Sequence, residues 1–190
     1  MDPDAVADEA LLARATTEPA AFEPLVARHS VALHGYLARR APAAADDLLS
    51  EVWLQAFAHR QTFDAARGAA RAWLFGVARN VLARHWQQLA RDPGAPPAGD
   101  PAGSDPWQAV DQRLDAVAAG PSIRRMLAEL PETERELLLL VAWEGLTPTE
   151  AATVVGIPAG TARSRLHRAR TRLRARLSDG TLTTLTGELA

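Results

Sequence analysis

Apolar positions recur at helical spacing through the first half of the chain. From Phe22 to Arg40 they fall at Phe22, Leu25, Val26, His29, Leu33, Tyr36 and Leu37, which predicts an amphipathic helix. A second helix is predicted from Asp46 to Arg60, with Leu48, Leu49, Val52, Trp53, Ala56 and Phe57 on its buried side. Asp46 and Asp47 suit its start, where carboxylates cap free N–H groups and meet the positive end of the dipole. A loop with Phe63, Asp64 and Gly68 follows. A third helix, from about Arg71 to Leu89, carries Trp73, Leu74, Val77, Ala78, Val81, Leu82 and Trp86 inward.

The periodicity then stops. Between Asp92 and Gly120 there are five prolines, four glycines and five aspartates. That composition reads as a linker, and its 29 residues could reach roughly 90 Å if extended. A loop that long inside one compact domain is unusual. The expected organisation is therefore a domain over residues 1–91, an acidic Pro/Gly linker over 92–121 and a second domain over 122–190.

Helix signals resume with Ile123, Met126, Leu127 and Leu130. Pro131 is placed to open a helix at its first position, with Glu132 and Glu134 in the first turn. Leu137 to Val141 and Trp143 form its core face, and Gly145 is a natural stop. Thr147-Pro148-Thr149-Glu150 reads as a capping box with proline at the first helical position, starting a short helix through Val155. Gly156 supplies a turn, and Pro158 can open a helix to about Leu177. No stretch alternates persistently enough to read as a strand, so the expected class is all-α.

Charge changes this picture in one place. The net charge is −2, yet seven of the 21 basic residues lie between Pro158 and Leu177 with no acid among them, and all 21 are arginine. Such asymmetry marks a basic tail or an element that contacts nucleic acid on an otherwise acidic body. A short capped helix, a glycine turn and a longer arginine-rich helix form the pattern of a helix-turn-helix. Arg163, Ser164, His167 and Arg168 share one face and can reach base edges in the major groove, where arginine grips guanine. Arg165 and the later arginines suit phosphates. Gly160 and Thr161 fall near the helix N-terminus, whose N–H groups favour phosphate. Leu166, Ala169 and Leu173 would anchor the helix to its domain. The competing reading is a solvated basic helix or a coiled coil; without partner glutamates, however, seven arginines would repel one another.

Five segments resemble a known family. Leu127-Ala-Glu-Leu-Pro-Glu-Thr-Glu-Arg135, Glu144-Gly-Leu-Thr-Pro-Thr-Glu-Ala151 and Gly156-Ile-Pro-Ala-Gly-Thr-Ala-Arg-Ser-Arg-Leu-His-Arg-Ala169 together look like region four of sigma factors. Trp73-Leu-Phe-Gly-Val-Ala-Arg-Asn80 and Asp46-Asp47-Leu-Leu-Ser-Glu51-Val-Trp53 resemble region two. The two halves in this order, joined only by a linker, are similar to the extracytoplasmic-function (ECF) class. The resemblance covers about residues 20–90 and 122–177.

The resemblance implies a non-enzymatic, cytoplasmic protein with no cofactor. It would bind core RNA polymerase and direct promoter recognition, DNA melting and transcription initiation. Asp46, Asp47, Leu48, Glu51 and Trp53 would face the coiled coil of the polymerase's largest subunit. For Trp53, core and interface readings both stand. Asn80 and its neighbours would read the melted minus-ten element, with Arg71, Arg79 and Arg84 near phosphates; Trp73 is either core or a stacking platform. Arg163, Ser164, His167 and Arg168 would read the minus-35 element, and the helix from Leu137 to Trp143 would hold the flap of the second-largest subunit. Family members are commonly held by an anti-sigma factor. The sequence departs from the family pattern at Gln87 and Gln88, where a basic pair is common, at Arg84, where aspartate is usual, and at Ser50, which replaces a frequent glutamine. The first of these departures bears on the strength of minus-ten duplex contact.

Other classes fare worse. The absence of cysteine excludes disulfide frameworks and thiol nucleophiles. His29, His34, His59, His85 and His167 show no metal-ligand spacing among themselves, and there is no phosphate loop or serine nucleophile motif. No apolar run approaches membrane-spanning length, so no direct membrane insertion is expected, and Asp2, Asp4, Asp8 and Glu9 are the opposite of a signal peptide. A dimeric regulator with the same helix-turn-helix would lack the region-two segments. A metal-dependent nuclease would have to use Asp46, Asp47 and Glu51 as ligands.

Overall fold

The computed structural model describes residues 6–91 and 125–187, with side chains through Arg176. The chain divides into two compact units, Met1–Arg113 and Leu114–Ala190. All regular structure among the described residues is helical. The linker expected over 92–121 lies outside the described residues, as does Ile123.

The first unit contains α1 (Asp8–Ala15), α2 (Glu23–Ala38), α3 (Ala45–Ala58) and α4 (Ala70–Leu89), with single 3-10 turns before α2, before α3 and after α3. Leu25, Leu33 and Leu37 of α2, Val52 and Ala56 of α3, and Leu74, Phe75 and Ala78 of α4 are fully buried. Tyr36 and Phe75 meet edge to face at 5.6 Å between centroids. Removing such a ring from a packed core costs about 3–5 kcal/mol.

Sequence periodicity missed α1, which is only eight residues long. It is held by charge as well as by Leu11, Leu12 and Ala15, which are buried. Asp8 accepts from Arg28 at 2.7 Å and lies 2.6 Å from Nε2 of His29. Burial opposes ionisation of Asp8, but those two hydrogen bonds and the charges behind them outweigh it and hold its pKa below the usual carboxylate value. Glu9 accepts the backbone N–H of Ala70 at 2.9 Å. It thereby satisfies a free donor at the start of α4, whose own N-cap Ala69 offers no side chain for the purpose.

Two expectations in this unit need correction. Asp46 does not cap α3: the cap position is Ala44, with no side-chain cap bond. The 3-10 turn Pro42–Ala44 runs directly into the helix, and Asp46 instead lies 3.2 Å from Nε2 of His34 with its side chain 95 % exposed. Phe57, expected on the buried side, reaches the surface, as does Leu54 at 66 % exposure.

The second unit follows a helical turn over 125–128 and contains α5 (Glu132–Ala142), α6 (Pro148–Val155) and α7 (Ala159–Gly187). Leu127, Leu130, Leu137, Leu140, Leu146, Ala151, Ala162, Leu166 and Ala169 form its core. Pro131 is the N-cap of α5 rather than its first residue, with ψ of 139°. Gly145 turns with φ of 64°, which lets the Leu146 N–H reach the Leu140 carbonyl at 3.1 Å. The capping box of α6 forms as expected: Glu150 N–H donates to Thr147 Oγ1 at 3.2 Å, and Thr147 N–H donates to Glu150 at 2.7 Å. Gly156 ends α6 in the left-handed region with φ of 77°. A Cβ there would meet nothing within 4 Å, so the need for glycine is conformational and not steric. The last helix begins one residue after Pro158 and runs past the expected end at Leu177.

Candidate nucleic-acid and polymerase interfaces

In the second unit, α6, the Gly156 turn and α7 make a helix-turn-helix. Ala162, Leu166 and Ala169 are buried and Leu173 is half-buried, so one stripe of α7 is fixed against its domain. Outside that stripe the helix presents Arg163, Ser164, His167, Arg168 and Arg170 to solvent, with Gly160 exposed and Thr161 and Arg165 half-buried. Ser164 Oγ donates to the Thr161 carbonyl at 2.9 Å, which leaves it an acceptor toward any partner.

No glutamate partners these arginines from within the helix, as expected, but carboxylates elsewhere in the domain do so for at least three of them. Arg172 donates to Glu134 at 2.7 Å, Arg168 stands 3.9 Å from the same carboxylate, and Arg176 pairs with Glu129 at 2.8 Å. The partners sit on or before α5 rather than one turn away on α7, where intrahelical spacing would look for them. Arg172 and Arg176 are therefore engaged within the domain instead of standing ready for phosphate. Arg163, Arg165 and Arg170 make no ion pair among the described residues.

In the first unit, a cleft of about 330 Å³ opens between the end of α3 and α4, lined by Gln55, His59, Thr62, Trp73, Val77, Asn80 and Arg84. Trp73 is half-buried and packs edge to face on Phe63 at 5.8 Å. It is thus both part of the packing and part of the cleft wall. Asn80 and Arg84 are exposed beside it. Arg71 lies over the Phe75 ring at 5.6 Å, and Arg79 is half-buried. Gln55, His59 and Thr62 were not singled out from sequence. Their signal is weak, since polar side chains at a helix end are ordinary.

The acidic helix α3 separates its candidates. Asp46 and Asp47 are exposed, and Glu51 is half-buried, accepting from Gln55 at 2.7 Å. Leu48 is only 7 % exposed and turns into the core, a correction to its placement on a docking face. Trp53 is half-buried against Phe22, 5.9 Å away edge to face, and its Nε1 donates to Ser30 at 3.2 Å. Leu54, three residues beyond Glu51, is the apolar side chain that α3 shows to solvent most fully.

Residues 25–92 match the family described as Sigma-70 region 2, and residues 121–173 match Sigma-70, region 4. Over 167 residues the chain is 31 % identical to the ECF RNA polymerase sigma factor SigL of Mycobacterium tuberculosis, covering 87 % of this chain and 93 % of that protein. The chain belongs to the sigma-70 family. More narrowly, it is an ECF sigma factor: SigC of Mycobacterium tuberculosis is also similar, at 37 % identity over 148 residues, 76 % of this chain and 74 % of that protein. Among solved structures, CnrH in complex with the cytosolic domain of CnrY is similar, with TM-score 0.60, 30 % identity and coverage of 92 % of this chain and 99 % of that one. The sigma factor RpoE of Bartonella quintana, in complex with the anti-sigma factor NepR, shares the fold at TM-score 0.55 and 22 % identity, over 83 % of this chain and 96 % of that one.

The sigma factor therefore acts in promoter recognition and transcription initiation, with core RNA polymerase and promoter DNA as its partners. Its region-two match contains the cleft at Asn80 and the acidic helix α3. Its region-four match contains the helix-turn-helix through Leu173. Among the described residues, no group of three or more histidine, aspartate or glutamate side chains is arranged to hold a metal ion, and no helix is long and apolar enough to cross a membrane.

Proposed function

We propose that the two units divide promoter reading between them. The observation that carries this reading is the outward arginine face of α7 on a capped, glycine-turned helix pair. On it, Arg163, Ser164, His167 and Arg168 read base edges of the minus-35 duplex, and Gly160, Thr161 and Arg165 approach the backbone. In the first unit, the cleft beside Trp73 and Asn80 takes a base of the melted minus-ten element. Its volume suits a base drawn from the stack, the Asn80 amide can pair with a base edge, and the indole offers an aromatic face. Arg71, Arg79 and Arg84 lie near the strand's phosphates.

Asp46, Asp47 and Glu51 of α3 face the coiled coil of the largest polymerase subunit, with Leu54 as the apolar contact; exposed carboxylates around an apolar side chain suit a basic partner helix. Trp143, which is 36 % exposed at the end of α5, meets the flap of the second-largest subunit. The exposed apolar side chains of α3 also suit an anti-sigma factor, the kind of partner with which the Bartonella quintana RpoE was solved. The protein works in the cytoplasm beside the polymerase and carries out no chemistry of its own.

The test is to add the purified protein to core RNA polymerase and sequence the transcripts' start sites. Initiation at a defined promoter set supports the reading. Tight, specific binding of the free protein to a palindrome would replace it with that of a dimeric regulator.

A further inference from the structure

Glu134 is an acidic residue within reach of the recognition helix, and it is nearly closed off from water. Its side chain is 6 % exposed, in the first turn of α5. A carboxylate so placed is strongly disfavoured unless cations compensate it. Both cations come from α7: Arg172 Nη1 donates to Oε2 at 2.7 Å, and Arg168 Nε stands 3.9 Å from Oε1. The two arginines are one turn apart, and Arg168 belongs to the same exposed face as Arg163, Ser164 and His167.

The two distances differ in meaning. At 2.7 Å the Arg172 pair is a good charge-assisted hydrogen bond, so that guanidinium is committed. At 3.9 Å the Arg168 pair is too long for a hydrogen bond, yet the attraction persists beside a poorly solvated carboxylate. Arg168 is 57 % exposed, so its head remains available to a partner. One buried charge thus removes one arginine from the DNA-facing set and biases the side-chain direction of another.

We infer that Glu134 is a positioning residue for minus-35 readout: it holds Arg172 as an internal strut and sets the reach of Arg168 toward base edges. The inference rests on the assignment of α7 to the minus-35 element. Without the carboxylate, both guanidiniums relax toward the nearest phosphates, and sequence-independent attraction grows at the expense of base discrimination.

The experiment uses the full chain with core polymerase on promoter duplexes, comparing wild type, Glu134→Gln, Glu134→Asp and Arg172→Gln. Each phosphate contact contributes about 0.9 to the slope of log affinity against log salt. Glu134→Gln should steepen that slope by about one to two. It should also flatten base preference at one minus-35 position in a promoter library. Glu134→Asp, which keeps the charge, should restore most of the preference. Arg172→Gln should leave the slope unchanged, because Arg172 is not on phosphate. If Glu134→Gln keeps the wild-type slope and base preference whatever its stability, Glu134 is only a structural strut and the inference is wrong. If that variant fails to fold, Arg172→Gln decides: a slope flattened by about 0.9 puts Arg172 on phosphate and overturns the inference. A wild-type holoenzyme with no minus-35 preference at all would sink the underlying assignment instead.

Discussion

Arg163→Ala is the sharpest test of the groove-facing side of α7. Arg163 is exposed, lies about one turn into the helix and makes no ion pair among the described residues. Its removal therefore breaks no internal contact, and alanine is the better helix former, so folding should change by only a few tenths of a kcal/mol. A bidentate contact to guanine is worth about 1–3 kcal/mol of discrimination, or roughly 5- to 150-fold between the right and wrong base pair. The comparison variant is Arg170→Ala, two turns further along and likewise without an ion pair among the described residues. Arg176 would be a poor control, because its pair with Glu129 at 2.8 Å would be lost together with any DNA contact. The assay is a promoter library randomised at the minus-35 element and transcribed by each holoenzyme. Arg163→Ala should flatten preference at one base pair, and Arg170→Ala should lower output evenly. Reduced output with unchanged base preference for Arg163→Ala would make it a phosphate contact and refute the proposed register.

Four further outcomes follow from the geometry. Asp8→Asn should cost about 1–2 kcal/mol near neutral pH, as expected for losing hydrogen bonds between charged groups at a partly exposed site. Because the folded pKa of Asp8 is depressed, its contribution is complete above the ordinary value of 3.8 and is lost as pH falls through the folded value. Urea unfolding should therefore show a gap between wild type and variant at pH 6 that closes in strong acid; an equal gap at both would contradict the role given to the carboxylate. Thr147→Ala should destabilise α6 by about 1 kcal/mol and speed hydrogen exchange at the Glu150 amide, and unchanged protection there would remove the capping box as the cause. Reversing Asp47 and Glu51 to arginine should weaken competition for core polymerase with helix content nearly intact, and normal competition would move the docking face elsewhere. On a duplex carrying only the minus-35 element, the free protein should show a log–log salt slope of about −2, as Arg165 and Arg170 on phosphates imply, and a value near −4 would mean that Arg172 and Arg176 leave their internal ion pairs for DNA.

Long periodic elements were legible in the sequence because burial writes itself into spacing. The helices through Leu33, Val52 and Leu74 needed no tertiary information, and the capping box at Thr147 and the turn at Gly156 are local chemistry. Helix α1 was not legible, since eight residues give two turns of pattern and its attachment depends on Arg28, His29 and Ala70, which are distant in sequence. The cap expected at Asp46 failed for a related reason. An aspartate near a helix start is a good guess only while the preceding backbone is free, and the 3-10 turn Pro42–Ala44 has already set the entry to α3. At the candidate sites, residue types marked the recognition face, but the cleft wall of Gln55, His59 and Thr62 exists only once α3 and α4 pack.

The charge on α7 shows most clearly what one-dimensional reading loses. Seven arginines without an acid look like one basic surface, yet a helix has an inner and an outer side, and the two do different work. Leu166 and Ala169 fix which side is inner. Arg172 then falls within reach of Glu134 on α5, which is so nearly closed off that it requires a cation, and Arg176 within reach of Glu129 before α5. Arg163 and Arg170 fall on the other flank of that buried stripe, make no ion pair among the described residues and keep their charge for a partner. The same residue type thus acts as domain cement and as DNA-facing probe, and the choice is made by apolar residues that carry no charge. It follows that a leucine-to-alanine change at Leu166 would alter DNA recognition without touching a basic residue, by loosening the rotation of α7 that assigns each arginine its role.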